Sequence, residues 1–150
     1  GAGGTDYKLY LIQEKCGRSL ADLIDTMILG HLSYPLRLLA HASMLADMAG
    51  GLAHLHAQHV AHGDLKPDNV LMQVDPAGVF GTVLKLTDFG LSVRVNPGAT
   101  HMSGYRTGTY FYMAPEVVQH SRMSPAADMY SLGVIAWSLL WGAHPYQYTQ

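Results

Sequence analysis

The sequence predicts an α+β domain, mostly helical and carrying one short β-hairpin. Residues 36–58, LRLLAHASMLADMAGGLAHLHAQ, place Leu38, Ala42, Leu45, Ala49, Leu52 and Leu55 at steps of three and four, the period of one helix face. A second run, LGVIAWSLLW from Leu132 to Trp141, is apolar all round and reads as a buried helix, well short of the ~20 residues that cross a bilayer. Between them NVLMQV and VLKLTDF flank DPAG, two strand-like runs around a turn.

The remaining elements follow in chain order. GAGGTD is loop-like, and YKLYLIQ at 7–13 alternates well enough for a strand. CGRS turns the chain into SLADLIDTMIL, a short helix with Ser19 as N-cap and Asp22 three positions on, in a capping-box arrangement. Tyr34-Pro35 breaks the chain before the long helix. Inside that helix Gly50 and Gly51 each cost about 1 kcal/mol relative to Ala, which predicts a close-packed element crossing there, the alternative being simple tolerance of the pair. HVAHGDLKPDN is a loop. From Gly90 to Tyr112 no period holds, and a connection this long and rich in Gly, Ser and Thr reads as a functional loop. A short helix after Ala114-Pro115-Glu116 and a second from Ala126 to Trp141 complete the chain, with no internal repeat.

The bulk composition removes several classes of function. At 150 residues and 49% hydrophobic content the chain is about one domain with a real core, which argues against global disorder. A charged fraction of 13% and a formal net charge of −2 leave no basic field to gather nucleic acid or an anionic membrane. The single cysteine, Cys16, excludes an internal disulfide, and the start of the chain has no signal-peptide pattern. Both point to a reducing, cytoplasmic setting, or to the cytoplasmic portion of a larger protein.

The chemistry concentrates in HGDLKPDN at 62–69, which packs two aspartates, a lysine and an asparagine into eight positions. HGDLKPDNVLM, then TDFG at 87–90, GTYFYMAPE at 108–116 and DMYSLGV at 128–134, with the hinge-like QEKCGRSL ahead of them, resembles the protein kinase family. Four strings in order and at the right spacing cover nearly the whole chain. Lys66 and Thr109 point to the serine/threonine class, and GTYFYMAPEV with ADMYSLGVIAW resembles the tyrosine-kinase-like group within it.

The resemblance implies transfer of the ATP γ-phosphate to a protein Ser or Thr hydroxyl, with ATP and Mg²⁺ as cofactors and a protein as substrate. Asp64 matches the catalytic-loop base, Lys66 the lysine that steadies the transferring phosphate, and Thr109 the threonine that reaches toward both. Asn69 and Asp88 match the two metal ligands, hard oxygen donors that suit Mg²⁺. Glu14 and Cys16 fall at the hinge that hydrogen-bonds adenine, beside Gln13 at the gatekeeper position, and Leu71 matches the apolar floor beneath the base. CGRSL is about one residue shorter than the usual hinge, and Cys16 is expected to be buried and unreactive. His62 and Phe89 match two members of the family's apolar spine. Asp128 matches the aspartate that holds the catalytic loop by backbone hydrogen bonds.

Read this way, residues 1–150 are a partial kinase domain: 1–18 the last N-lobe strand and hinge, 19–150 an incomplete C-lobe with catalytic loop 62–69 and activation segment 88–116. The N-lobe is expected to be largely missing, and the isolated piece inactive. Lys8 runs straight into the hinge, so it is a solvated strand residue rather than the family's phosphate-gripping lysine, and GAGGTD lacks the third glycine of GxGxxG. The rival is a pseudokinase, a kinase-shaped scaffold that binds partners without catalysis. His54, His56, His59 and His62 invite a zinc reading, but positions 54 and 56 diverge on a helix and the lone cysteine is far off. Gly63 departs from the family's usual arginine, which pairs with an activation-loop phosphate. Glycine predicts independence from that phosphate, even if Thr100, Ser103 or Thr107 is modified.

Overall fold

The computed structural model describes residues 12–96, 98–105 and 107–145. GAGGTD, Lys8 and residues 7–11 of the expected first strand lie outside them, and Ile12 and Gln13 belong to no strand. The described elements run α1 (Leu20–Asp25), α2 (Tyr34–Ala57), β1 (Val60–Ala61), β2 (Val70–Val74), β3 (Thr82–Leu86), β4 (Val93–Arg94), β5 (Met102–Ser103), α3 (Pro115–His120), β6 (Arg122–Met123) and α4 (Pro125–Trp141), with short 3₁₀ turns between. The mixed, mainly helical α+β class predicted from the sequence is what the chain adopts.

Ser19 caps α1 as its sequence requires. The Ser19 side chain accepts from the Asp22 N–H at 3.2 Å and the Asp22 carboxylate accepts from the Ser19 N–H at 3.0 Å, so each satisfies an orphan donor of the first turn. The helix is shorter than expected: it ends at Asp25, and Met27 turns left-handed at φ 50° before a 3₁₀ turn over Ile28–His31.

Helix α2 forms where the period places it, but its buried face is rotated from the expected one. Ala40, His41, Met48 and Leu52 are buried, with Met44 and Leu45 packed against the core, whereas Leu38 is 52% exposed and Ala42 is exposed. The helix is apolar on more than one side, so spacing alone fits two faces equally well. Only Gly51 has the close neighbour expected of the glycine pair: a Cβ there would lie 3.0 Å from Leu86 Cδ1, where β3 crosses, while Gly50 faces open space.

Strands β2 and β3 pair antiparallel from Val70↔Leu86 to Val74↔Thr82. The long connection after them is not featureless: β4 pairs with β1, and β5 pairs with β6. Helices α2 and α4 pack together, and their Leu52, Leu132 and Ile135 share the main core with Leu65, Val70 and Tyr112. Trp137, Leu140 and Trp141 on α4 are exposed at 45, 62 and 70%. Among the described residues no helix is long and apolar enough to cross a membrane.

Candidate active site

The loop 62–69 is built by alternation. Leu65 is 1% exposed and anchors the loop in the main core, which turns its neighbours Asp64 and Lys66 to the other side. Pro67 opens a 3₁₀ turn over Pro67–Asn69, where its missing N–H costs nothing. The turn returns Asn69 beneath Asp64.

Asp64 sits at the centre of a closed polar cluster. Its Oδ1 accepts from the Thr109 N–H at 2.9 Å and the Thr109 hydroxyl at 3.0 Å. Its Oδ2 lies 3.1 Å from Lys66 Nζ and 3.2 Å from Asn69 Nδ2. Lys66 Nζ also donates to Thr109 Oγ1 at 3.0 Å, so the lysine bridges both residues. Asp64, Lys66, Asn69 and Thr109 are thus one constellation, brought together across 45 residues of chain between Asp64 and Thr109. Gly108 precedes Thr109 at φ +132°, and a Cβ there would come within 3.2 Å of Gly63 O, which explains why a glycine stands before the threonine.

Asp128, at the start of α4, holds the loop from below. It is 1% exposed, and its Oδ2 accepts from the His62 N–H at 2.8 Å while its Oδ1 accepts from the Gly63 N–H at 3.0 Å. His56 completes this carboxylate: its Nε2 lies 2.8 Å from Asp128 Oδ2. A carboxylate only accepts, so Nε2 carries the hydrogen. Periodicity carried no signal for this role. His62 is buried, its Nε2 is 3.0 Å from Thr87 O, and its ring meets Phe89 with centroids 5.4 Å apart and planes tilted by 51°.

Asn69 and Asp88 lie at one end of the β2–β3 hairpin, where the Thr87 N–H donates to Asn69 O at 3.0 Å. The Asn69 amide nitrogen is committed to Asp64 O at 2.8 Å and to Asp64 Oδ2, which leaves its carbonyl oxygen as the outward acceptor. Asp88 is exposed, left-handed at φ 60°, with Oδ1 accepting from the Gly90 N–H at 3.3 Å. Among the described residues no group of three or more His, Cys, Asp or Glu side chains could hold a metal. A two-residue, oxygen-only donor set fits a Mg²⁺ ion whose other ligands are phosphate and water.

Beside the hairpin, Gln13, Glu14, Cys16, Leu71, Thr87 and Phe89 line a cleft of about 250 Å³. Residues 16–18 are strapped to β2 by Gly17 N–H to Met72 O at 2.7 Å and Met72 N–H to Arg18 O at 2.8 Å, which lays Cys16 beside Leu71. Cys16 is half-buried rather than buried, because it lines the open cleft beside Leu71. Lys85 and Glu14 pair at 2.6 Å across the cleft edge, and the Glu14 hydrogen bond raises the Lys85 pKa.

A protein kinase domain family model matches residues 2–150. The chain is 39% identical over 102 residues to the serine/threonine-protein kinase STY46 of Arabidopsis thaliana, covering 68% of this chain and 16% of that protein. It is 32% identical over 146 residues to serine/threonine-protein kinase 33 of Bos taurus, covering 95% of this chain and 29% of that protein. It is also 38% identical over 109 residues to mitogen-activated protein kinase kinase kinase 12 of Rattus norvegicus, covering 70% of this chain and 11% of that protein. The chain thus spans less than a third of the length of these curated relatives. With four ordered motifs and a family match along almost its whole length, the chain belongs to the protein kinase domain family.

Proposed function

We propose that the protein carrying this chain is a serine/threonine kinase that moves the γ-phosphate of ATP to a protein Ser or Thr hydroxyl. The observation that carries this reading is the Asp64 cluster, in which Thr109 and Lys66 hold one carboxylate from two sides at 2.9–3.1 Å. Two relatives bear serine/threonine-kinase names, which supports the acceptor class. In this proposal residues 1–18 are the last N-lobe strand and the hinge, and residues 19–150 belong to an incomplete C-lobe that carries catalytic loop 62–69 and activation segment 88–116.

The acceptor oxygen bonds to the γ-phosphorus as the bond from that phosphorus to the β–γ bridging oxygen breaks, and the electron pair leaves with ADP. The acceptor proton passes to Asp64. All four lone-pair directions of this carboxylate are engaged, so the acceptor hydroxyl must replace one contact. The Asn69 bond is the one to yield: at 3.2 Å it is the longest, and Asn69 Nδ2 keeps its 2.8 Å bond to Asp64 O. Lys66 carries positive charge beside the transferring phosphate, and Thr109 keeps the aspartate turned toward the acceptor. Asn69 and Asp88 are the residues that would hold Mg²⁺, which supplies neutralisation of the charge gathered on the phosphoryl oxygens. The cleft floored by Leu71 and edged by Glu14 and Cys16 suits the adenine. A scaffold has no chemical use for this set of contacts around Asp64.

The test is phosphate transfer by the full-length protein from Mg-ATP to a generic basic protein substrate, with Asp64→Asn as comparison. Transfer to Ser or Thr that falls ~10²-fold or more in the variant is the expected result. Transfer that Asp64→Asn leaves untouched, or a folded, ATP-binding protein with none at all, would assign the domain to scaffolding. Residues 1–150 alone are proposed to be inactive, because the glycine-rich loop and strand lysine are not among them.

A further inference from the structure

The peptide units leading into Asp64 are gripped on both edges. Asp128 takes the His62 and Gly63 N–H groups. The carbonyls are taken from the opposite side by the activation segment: Ser92 Oγ donates to His62 O at 3.1 Å, and the Tyr105 hydroxyl donates to Gly63 O at 2.9 Å. The same phenolic proton is shared with Leu91 O at 3.0 Å.

Tyr105 is built for this contact. Its ring is 6% exposed and lies in the second core cluster with Ala61, Val95, Ala114 and Val117, and its N–H donates to Ser121 O at 3.1 Å. Burial of the phenol raises its pKa further above neutrality, so the hydroxyl is a proton donor there. Gly63 is the matching half. It sits at φ +84°, and a Cβ there would fall 2.5 Å from the Tyr105 hydroxyl oxygen and 2.5 Å from Leu91 O. The volume a side chain at 63 would enter is filled by the phenol.

We propose that Tyr105 is a positioning residue that latches the activation segment onto the catalytic loop without a phosphate. Its hydroxyl fixes the Gly63 carbonyl, and four residues later the same segment delivers Thr109 to the Asp64 carboxylate. Asp128 holds the Gly63 N–H and Tyr105 the Gly63 carbonyl, so the two peptide units that flank the Gly63 Cα are both fixed and Asp64 is presented by a backbone with little freedom to rotate. The catalytic consequence rests on the kinase reading above; the latch itself does not.

The experiment compares the full-length protein with its Tyr105→Phe variant, which keeps the ring in the core and removes only the donor. Tyr112→Phe, another buried tyrosine whose hydroxyl meets His144 Nδ1 at 3.1 Å, controls for general loss of stability. In Tyr105→Phe, amide exchange over residues 100–109 is expected to rise about three- to tenfold, and kcat to fall by a similar factor with the ATP KM unchanged. Tyr112→Phe leaves exchange over 100–109 as it was, and phosphatase treatment of the wild type does the same. Exchange in Tyr105→Phe equal to wild type, an equal rise in Tyr112→Phe, or a segment ordered only when phosphorylated would each overturn the latch. A wild type without kinase activity would sink the functional reading, while the exchange comparison would still decide the latch.

Discussion

The imidazole of His56, near the end of α2, donates to the carboxylate of Asp128, near the start of α4, at 2.8 Å. That bond joins α2 and α4 directly beneath loop 62–69, because the same carboxylate holds the His62 and Gly63 amides. Replacing Asp128 with Ala strands three donors, two of them backbone N–H groups with no other partner among the described residues. A loss of about 3 kcal/mol or more is expected from Asp128→Ala, against ~1–2 for His56→Ala, which leaves the carboxylate two partners. Chemical denaturation of both variants checks the order, and a His56→Ala cost equal to that of Asp128→Ala would contradict it.

Thr109 touches Asp64 twice, through N–H and hydroxyl, and Lys66 once. Thr109→Val keeps the shape and the backbone bond but removes the hydroxyl from a charged pair. A fall in kcat of about 10- to 100-fold is expected with little change in ATP KM, and Thr109→Ser should retain most activity. Steady-state kinetics on the full-length protein decides this; a Ser variant as poor as the Val variant would deny the hydroxyl its role.

Gly63 has no room for a side chain. Gly63→Arg must place its Cβ against the Leu91 carbonyl and Tyr105 hydroxyl, in a left-handed backbone that disfavours any Cβ. The expected cost is ~2 kcal/mol or more, seen as a lowered melting midpoint. The complementary variant, Thr100→Ala with Ser103→Ala and Thr107→Ala, should keep activity within about twofold of wild type, since it alters only exposed positions. Collapse of the triple variant to baseline would mean that loop phosphorylation is required after all.

His41 lies on the buried side of α2, 4% exposed, and its Nε2 is the one buried side-chain polar atom without a hydrogen-bond partner among the described residues. Burial first, then the Arg37 charge, lowers its pKa below the usual 6.5. The folded state therefore resists protonation that the unfolded chain accepts. Stability from this group is present above the unfolded pKa and is lost as pH falls below ~6.5 toward the folded value. His41→Leu should gain ~1 kcal/mol at neutral pH and lose part of the acid sensitivity. Melting at pH 7 and pH 5 tests both, and an unchanged pH dependence would rule out His41 as a source.

Much of the site was legible because its residues are consecutive. Asp64, Lys66 and Asn69 share one loop, and their spacing announces chemistry before any fold is known. Thr109 and Asp128 were legible only through resemblance, since nothing in their own neighbourhoods marks them. Tyr105 and Ser92 were not legible at all, and His56 only as part of the pattern at the end of the helix, without its partner. Each acts on a partner far off in sequence, Ser92 on His62 at 30 residues, Tyr105 on Gly63 at 42 and His56 on Asp128 at 72, separations that periodicity does not reach.

The same division holds for the fold. Local chemistry alone set the Ser19 cap, the β2–β3 hairpin and the span of α4, because capping, strand alternation and apolar runs act over a few residues. Tertiary packing chose which face of α2 is buried, placed β3 against Gly51, and gave strands to a segment without a pattern of its own. It also decided why residue 63 is glycine. The sequence marks that glycine only as a departure, whereas the reason is steric: a phenol from 42 residues away already fills the space a side chain would need.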